Sequence, residues 1–477
     1  MRTNVIGSAV VALLLGGVMI SCSKKSTGSS NNPPTNNPNP NTPPTVVNWP
    51  PPTWREHWFE HNQLVNRVFY NNNIAVYFDA DVNKSITWPF TFIDSVWTYT
   101  KNVYGRFGPT DSVNLLFTIL HTNKYGGGHP FYYFDAGHDY RNGIDIGLGQ
   151  NAWVNQTDQE TDIIIHEIAH IVEGAGKSTK ESPAWEIWGD SKWAEIFIYD
   201  VYDYMGRTTK KNNAYNLFNG GTENFPRAGT AWFRHWFYPV YEQHQKARVL
   251  NDFFELLKTH FPRKTHPKGM EYTRRMNLGE FVHFYSGAAK MDLSYRAQLA
   301  FGDKDRNGNN WLTQFAKAKT DFAAIQYAAV DTFYGVDLTK SATITVSKEN
   351  ANGASGVEGS AKIKDMDIQT KFFVAAIGDD FWIQQTLDEP AVVNSYMISS
   401  AFDAINRDPK NWELQASNDG TSWTVIETRA NQLFNYRNDM RHFNAANTVP
   451  YTHYRLKVTA TAGSPDLQIG EWRLFRK

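Results

Sequence analysis

The sequence predicts an α+β domain built on a mixed sheet, followed by an all-β sandwich. Between about residues 53 and 337, segments with strand spacing and segments with helix spacing are mixed, and most of the region after Pro183 has helical spacing. From about residue 341 the pattern changes to short strands separated by turn residues. A chain of 477 residues is long enough for two such units. We therefore expect one domain at 53–337 and a second at 341–477.

The N-terminus has the pattern of a targeting segment. Arg2 is followed by an apolar run at 9–20, which is too short for a comfortable membrane span, and then by Ser21 and Cys22. Residues 18–22 resemble the lipoprotein box of bacteria, which implies a signal peptide at 1–22 and a lipid on Cys22. The alternative is an incidental free cysteine in an uncleaved leader. Because Cys22 is the only cysteine, intrachain disulfides and multi-thiolate zinc sites are excluded.

Residues 23–52 are expected to form an extended linker, because Ser, Asn, Pro and Thr dominate them and cannot form a core. The predicted location is the bacterial cell envelope, with the lipid on Cys22 as the only contact with the outer membrane. Lys24 and Lys25 stand where a surface-export signal would be acidic, so a periplasmic and a surface-facing position both stay open. The balance of 47 basic and 48 acidic residues suggests no nucleic-acid partner.

Hydrophobic periodicity assigns the elements of the first domain in order. Predicted strands lie at 74–79, 113–120 and 143–147. Predicted helices lie at 92–99, 185–204, 247–260, 278–290 and 311–327.

The most informative motif is the HExxH sequence at 166–170. On a helix, residues i and i+4 share a face, so His166 and His170 can bind one zinc ion at about 2.0–2.1 Å. Glu167 can then take a proton from a water on that metal. An acidic first turn at 159–162 and Gly174 as a helix stop favour a helix. The alternative is a buried strand with incidental histidines, since the flanking residues are mostly β-branched.

A mixed sheet, a central HExxH helix and a helical second half resemble the zincin metallopeptidases. This resemblance implies a third ligand that is often a glutamate on a later helix, with an aspartate one turn further on. Glu186 and Asp190, 16 and 20 residues after His170, match that pattern and resemble the spacing in the plant basic-secretory-protein group. Ser182 and Pro183 suit a helix start before Glu186.

Glu186 is the preferred third ligand, and Asp190, Glu195 or a histidine elsewhere remain alternatives. If Asp190 is not a ligand, it would orient a zinc-bound imidazole. The metzincin pattern is excluded, because Glu173 and Gly176 stand where glycine and histidine are needed. His283 and Tyr285 are candidates for an oxyanion donor, although packing in the core is their expected role.

The second domain resembles the discoidin (coagulation-factor type C) sandwich, which includes many carbohydrate-binding modules. The resemblance rests on the segments at 407–412, 416–423 and 454–456 and on Glu471. It implies a structural calcium site formed by Asp365, Asp367, Thr370 and Glu471, although Met366 and Phe372 depart from the family pattern.

Together the resemblances imply a lipid-anchored zinc peptidase that cleaves an extracellular protein or glycoprotein, with Glu167 as general base. The strand at 144–148 is expected to line the cleft and to pair with an extended peptide. The alternative function is a non-proteolytic lipoprotein that binds a surface glycan, with the zincin half as a scaffold.

Overall fold

The computed structural model describes residues 49–329 and 335–477. The predicted signal peptide at 1–22, its Cys22 and most of the linker at 23–52 lie outside the described residues. Within the two described ranges, no helix combines the length and the hydropathy needed to cross a membrane.

The secondary structure divides the chain into a mixed first half and a second half of strands. The α-helices are α1 (Trp88–Tyr104), α2 (Asp158–Ala175), α3 (Trp185–Trp188), α4 (Lys192–Tyr204), α5 (Thr208–Asn219), α6 (Tyr238–Gln243), α7 (Ala247–His260), α8 (Leu278–Ala289), α9 (Ser294–Phe301) and α10 (Trp311–Asp321). The strands of the first half are β1 (Thr53–Arg55), β2 (Leu64–Tyr70), β3 (Ile74–Phe78), β4 (Leu116–Thr122), β5 (Gly127–Phe131), β6 (Asn142–Leu148), β7 (Thr179–Lys180), β8 (Arg263–His266) and β9 (Gly269–Tyr272). The strands of the second half are β10 (Val336–Asp337), β11 (Thr343–Val346), β12 (Phe372–Val374), β13 (Trp382–Ala391), β14 (Ser395–Ser399), β15 (Pro409–Ser417), β16 (Thr424–Arg429), β17 (Met440–Asn444), β18 (Tyr451–Thr461), β19 (Leu467–Ile469) and β20 (Trp472–Arg476).

The first half is organised around a six-stranded sheet with the order β1-β2-β3-β4-β6-β5. Strands β3, β4 and β6 are parallel, and the remaining pairs are antiparallel. Alternate side chains face opposite sides of the sheet. Ile144 and Ile146 join the main core that contains α1 and α2, whereas Phe117 and Ile119 join a separate core under Trp54. The N-terminal segment therefore covers the face of the sheet opposite the helices.

The predicted helix at 185–204 is broken in the structure. It ends after one turn, α3, because Gly189 adopts φ +76°, and it resumes as α4 at Lys192. A β-carbon built on Gly189 would lie 2.8 Å from the Phe225 ring, so the close packing there also favours glycine. Glu186 consequently lies in α3, whereas Asp190 lies in the connection between α3 and α4, so the two do not share a helix face.

The second half is an antiparallel β-sandwich. Its two main sheets have the orders β10-β20-β14-β17 and β11-β13-β18-β15-β16. Apolar side chains from both sheets, including Trp412, Leu456 and Trp472, form one buried core. Since β10 pairs with β20, the sandwich begins before residue 341. The predicted domain boundary at 341 therefore leaves β10 outside the second domain.

The two halves are in contact with each other. Leu299 of the first half is buried in a small apolar cluster with Ile368, Met397, Met440 and Phe475 of the second half. Arg227 pairs with Asp367 at 3.0 Å, and Gln243 donates a hydrogen bond to the Tyr436 hydroxyl at 2.6 Å. Removing the sandwich would therefore expose apolar surface on the first half.

Candidate metal centre and active-site cleft

The HExxH motif lies on helix α2, so the alternative of a buried strand is wrong. The helix begins with a capping box, in which Thr157 and Glu160 each accept a hydrogen bond from the other's backbone N–H. It continues past Gly174 to Ala175, so Gly174 is not the predicted helix stop. A β-carbon built on Gly174 would lie 2.3 Å from the ring of Tyr132, so glycine permits the helix to pack closely there.

The two imidazoles of the motif converge. His166 Nε2 and His170 Nε2 are 3.1 Å apart. Two ligands at 2.0–2.1 Å from one tetrahedral ion would be separated by about 3.4 Å. Glu173 Oε2 bonds His170 Nδ1 at 2.8 Å, and Trp188 donates a hydrogen bond to Glu173 Oε1 at 2.7 Å. These contacts orient the His170 ring with Nε2 toward His166. Carboxylates that bond the second nitrogen of a zinc-bound imidazole have the same effect.

The pKa values of the two imidazoles are shifted in opposite directions. Burial lowers the pKa of His170, but the hydrogen bond to Glu173 outweighs this effect and raises it to about 9. Burial lowers the pKa of His166 to about 3, so this imidazole is neutral at physiological pH. Burial also raises the pKa of Glu167 to about 7. Only 3% of Glu167 is exposed, and its Oε2 has no hydrogen-bond partner within the described chain. A buried carboxylate with a free oxygen beside two imidazoles is placed to exchange a proton with a bound water.

The structure brings Asp190, rather than the preferred Glu186, to the histidine pair. Asp190 Oδ1 lies 3.7 Å from His170 Nε2. Glu186 instead pairs with Arg275 at 3.2 Å, and Glu195 pairs with Lys192 at 2.7 Å. The break at Gly189 explains this difference, because it turns the chain between Glu186 and Asp190. Of the three candidate carboxylates, the geometry favours Asp190.

His170 and Asp190 line a cleft with a volume of about 430 Å³, and β5 forms part of its wall. Strand β5 is at the edge of the sheet, paired only with β6 among the described strands. Strand β6 is paired on both sides, with β4 and β5, so the prediction that residues 144–148 pair with a peptide is wrong. The strand with a free edge beside the cleft is β5.

Gly128 of β5 lies against the candidate general base. A β-carbon built on Gly128 would be 2.7 Å from Glu167 Oε1, so Gly128→Ala is expected to displace the Glu167 carboxylate and to reduce hydrolysis at least about 10-fold. Gly149→Ala is the matched control, because a β-carbon there meets no atom within 4 Å and Gly149 is not among the residues that line the cleft. Initial rates on one peptide substrate, with circular dichroism to check folding, measure the effect. Equal rates for the two variants would contradict this role of Gly128.

A second prediction concerns Glu173. Glu173→Gln removes the charge that accepts from His170 and is expected to weaken zinc binding by about 10–100-fold. Competition with a chromophoric chelator measures this affinity. An unchanged zinc affinity in a folded variant would show that Glu173 has no part in orienting the ligand.

The two candidate oxyanion donors lie in the core instead of the cleft. His283 Nδ1 bonds the Tyr327 hydroxyl at 2.7 Å, and Tyr285 is fully buried and stacks on Phe253 at 4.1 Å. Core packing, which was their expected role, accounts for both.

A second group of side chains that could hold a metal ion was not predicted from the sequence. Glu56, His61, His121 and Asp145 are buried, and one donor atom from each lies within 4.8 Å of the others. Burial lowers the pKa of His121, but the neighbouring carboxylates of Asp145 and Glu56 outweigh this effect and raise it to about 10. One signal was present in the sequence, because His121 and Asp145 are ionisable residues in mostly apolar strands.

The residues of the predicted calcium site contact cationic side chains and one another. Asp367 pairs with Arg227 at 3.0 Å, Asp365 pairs with Lys362 at 3.4 Å, and Glu471 lies 3.3 Å from Arg473, which also pairs with Asp337. Thr370 donates hydrogen bonds to both oxygens of Asp365. The calcium site stays a prediction.

Comparisons with known proteins give similarity over part of the chain only. No protein-family model matches the chain, and no curated protein matches it. A family 32 carbohydrate-binding module of Clostridium perfringens, solved with GalNAc-β-1,3-galactose, is 18% identical, with a TM-score of 0.26, over 30% of this chain and 100% of that one. An F5/8 type C domain from Bacteroides fragilis is 15% identical, with a TM-score of 0.26, over 29% of this chain and 92% of that one. The family 32 module of C. perfringens NanJ, solved with galactose, is 15% identical, with a TM-score of 0.25, over 29% and 96% of the two chains.

Proposed function

We propose that this protein is a zinc-dependent peptidase whose metal is held by His166, His170 and Asp190. The observation that carries this proposal is the convergence of the two Nε2 atoms, 3.1 Å apart, with the buried carboxylate of Glu167 next to His166 in the chain and with His170 in the cleft wall. A metal-binding role alone would not need Glu167. When bound, zinc would polarise a carbonyl and lower the pKa of a water from about 15.7 toward about 7.

The side chains of the chain have separate roles in this proposal. Glu167 accepts a proton from the attacking water at its free oxygen and later delivers it to the leaving amine. Glu173 holds the His170 ring through Nδ1, and Trp188 in turn holds Glu173. This arrangement fixes the general base and the ligands before the substrate binds, which favours catalysis.

An extended peptide is the substrate that the cleft suits best. The free edge of β5 presents backbone N–H and C=O groups that can pair with a peptide in extended conformation. Gly126, Gly127 and Gly128 line the cleft and leave room for that backbone to approach closely. Two further parts of the proposal rest on the sequence alone. The protein is anchored to the bacterial outer membrane through Cys22, and its substrates are extracellular proteins or glycoproteins.

A peptide library tests this function. The zinc-loaded protein is incubated with the library, and new termini are identified by mass spectrometry. We expect cleavage that stops when 1,10-phenanthroline removes the metal and returns when zinc is added. Cleavage that persists in a protein shown to be free of metal would contradict the proposal.

The second candidate function is glycan binding by the sandwich, and one surface feature favours it. Arg455 lies 4.0 Å over the ring of Trp423 and 5.6 Å from that of Trp382, and all three are partly exposed. The two tryptophan rings offer flat apolar faces for stacking on a sugar, and the Arg455 guanidinium beside them offers hydrogen-bond donors.

We expect Trp423→Ala to reduce binding of the full chain to an immobilised glycan, while hydrolysis of a short soluble peptide is unchanged. Substitution is preferable to deletion of the sandwich, because the two halves share buried contacts. A glycan array that shows no binding by the wild-type chain would rule this candidate out.

A further inference from the structure

We propose that Glu56, His61, His121 and Asp145 bind a second zinc ion, which has a structural role on the face of the sheet opposite helix α2. Glu56 and His61 belong to the N-terminal segment, whereas His121 lies in β4 and Asp145 in β6. The side chains of His121 and Asp145 follow the alternation of Phe117 and Ile119, which face away from α2. The four donors are therefore different residues from those of the HExxH centre, although His61 and Asp145 line the same cleft as His170 and Asp190. The inference does not rest on the proposed peptidase activity.

The spacing of the donor atoms suits a tetrahedral ion. His121 Nε2 is 2.8 Å from Glu56 Oε1 and 3.1 Å from Asp145 Oδ1. His61 Nδ1 is 2.7 Å from Asp145 Oδ2 and 3.9 Å from Glu56 Oε1. These separations lie on both sides of the roughly 3.4 Å expected between ligands of one tetrahedral zinc. Two imidazoles and two carboxylates are also donors that zinc accepts readily.

The groups around the four donors have the pattern of a second ligand shell. The other nitrogen of His121, Nδ1, bonds Asp79 at 3.0 Å, and Asp79 is in turn paired with Lys124 at 3.0 Å. Such a carboxylate fixes the orientation of a metal-binding imidazole. Trp58 donates a hydrogen bond to Asp145 Oδ2 at 2.9 Å. The orientation of the donors is therefore set by contacts outside the cluster.

One buried carboxylate oxygen of the cluster makes no hydrogen bond among the described residues and is therefore available to bind a metal ion. Asp145 is 1% exposed, and its Oδ1 has no hydrogen-bond partner of acceptable geometry within the described chain. The carboxylates of Asp145, Glu56 and Asp79 meet there, and Lys124 is shared between Asp79 and Asp81. A divalent cation would offset the carboxylates of Glu56 and Asp145 with both imidazoles neutral, as zinc ligands must be.

The position of the cluster explains what the metal would do. Glu56 and His61 lie in the segment that carries Trp54 and Trp58 over the sheet, and this segment covers the second apolar core. An ion shared with β4 and β6 cross-links residues up to 89 positions apart in the chain, from Glu56 to Asp145. The metal would hold the N-terminal segment against the sheet and would stabilise the native state through its binding free energy.

Metal content of the full-length chain, purified without chelator and supplied with zinc, tests the inference. We expect His166→Ala to retain about one zinc per chain, and His166→Ala combined with Glu56→Gln to retain none. His138→Ala in the His166→Ala background is the matched control. His138 lines the same cleft and is buried, but it pairs with Asp135 and is not one of the four donors.

Thermal unfolding provides a second readout, and it does not depend on activity. In the His166→Ala background, removing zinc with dipicolinate is expected to lower Tm by roughly 5–10 °C. The same treatment is expected to have no effect once Glu56→Gln or His61→Gln is added. A His166→Ala protein that binds no zinc and whose Tm is insensitive to dipicolinate would overturn the inference, and the cluster would then be an ion-pair network. Failure of the peptidase proposal would appear separately, because the wild-type chain and His166→Ala would then bind equal amounts of zinc.

Discussion

Glu167→Gln is expected to reduce peptide hydrolysis by about 10²–10⁴-fold, which is the usual contribution of a general base. Glutamine keeps the shape of the side chain but cannot accept the proton from the attacking water. The loss should appear in kcat, because Glu167 is only 3% exposed and its proposed role is in the chemical step rather than in binding the peptide. Initial rates at saturating peptide, compared with the wild-type chain at equal zinc content, measure it.

Zinc content serves as the control for this variant. Glu167 is not among the proposed ligands, so the variant should bind as much zinc as the wild-type chain. Full activity of a zinc-loaded Glu167→Gln protein would rule out Glu167 as the base. Loss of zinc together with activity would instead assign Glu167 a role in holding the metal.

Asp190→Asn is expected to weaken zinc binding at the HExxH centre by at least about 100-fold. This loss is larger than the roughly 10–100-fold that is typical when a residue that orients a ligand is replaced. Asp190 is the candidate carboxylate next to the histidine pair, with Oδ1 at 3.7 Å from His170 Nε2. Chelator competition in a Glu56→Gln background isolates this centre from the second proposed site.

Glu186→Gln and Glu195→Gln are the matched controls for Asp190→Asn. Both carboxylates pair with cationic side chains, Arg275 and Lys192, and should leave zinc affinity within about 2-fold of the background. Loss of zinc in Glu186→Gln, with Asp190→Asn unaffected, would restore the ligand that the sequence preferred.

The sequence was a good guide wherever a local pattern determines the structure. The spacing of His166 and His170 predicted the helix and their shared face, and α7 has the predicted bounds, 247–260. The short strands predicted from about residue 341 are also present in the sandwich. In α7, β13 and β18 the apolar pattern and the fold agree, because one face of each element is more buried than the other.

Residues whose position depends on tertiary packing could not be placed from the sequence. A single glycine, Gly189, separates Glu186 from Asp190 by breaking the helix, although glycine is tolerated inside many helices. The four residues of the second metal cluster come from a loop segment and two strands, at positions 56, 61, 121 and 145. Only the strand order of the sheet brings them together. The free edge of β5 likewise follows from the topology, since its sequence of glycines, histidine and proline has little strand character.

The measurement that tests the central claim most directly is a crystal structure with anomalous diffraction data on both sides of the zinc absorption edge. We predict a zinc peak about 2.0–2.2 Å from His166 Nε2, from His170 Nε2 and from an oxygen of Asp190, with the Glu167 carboxylate near a water on the same ion. A zinc-saturated crystal without a peak between His166 and His170 would contradict the account.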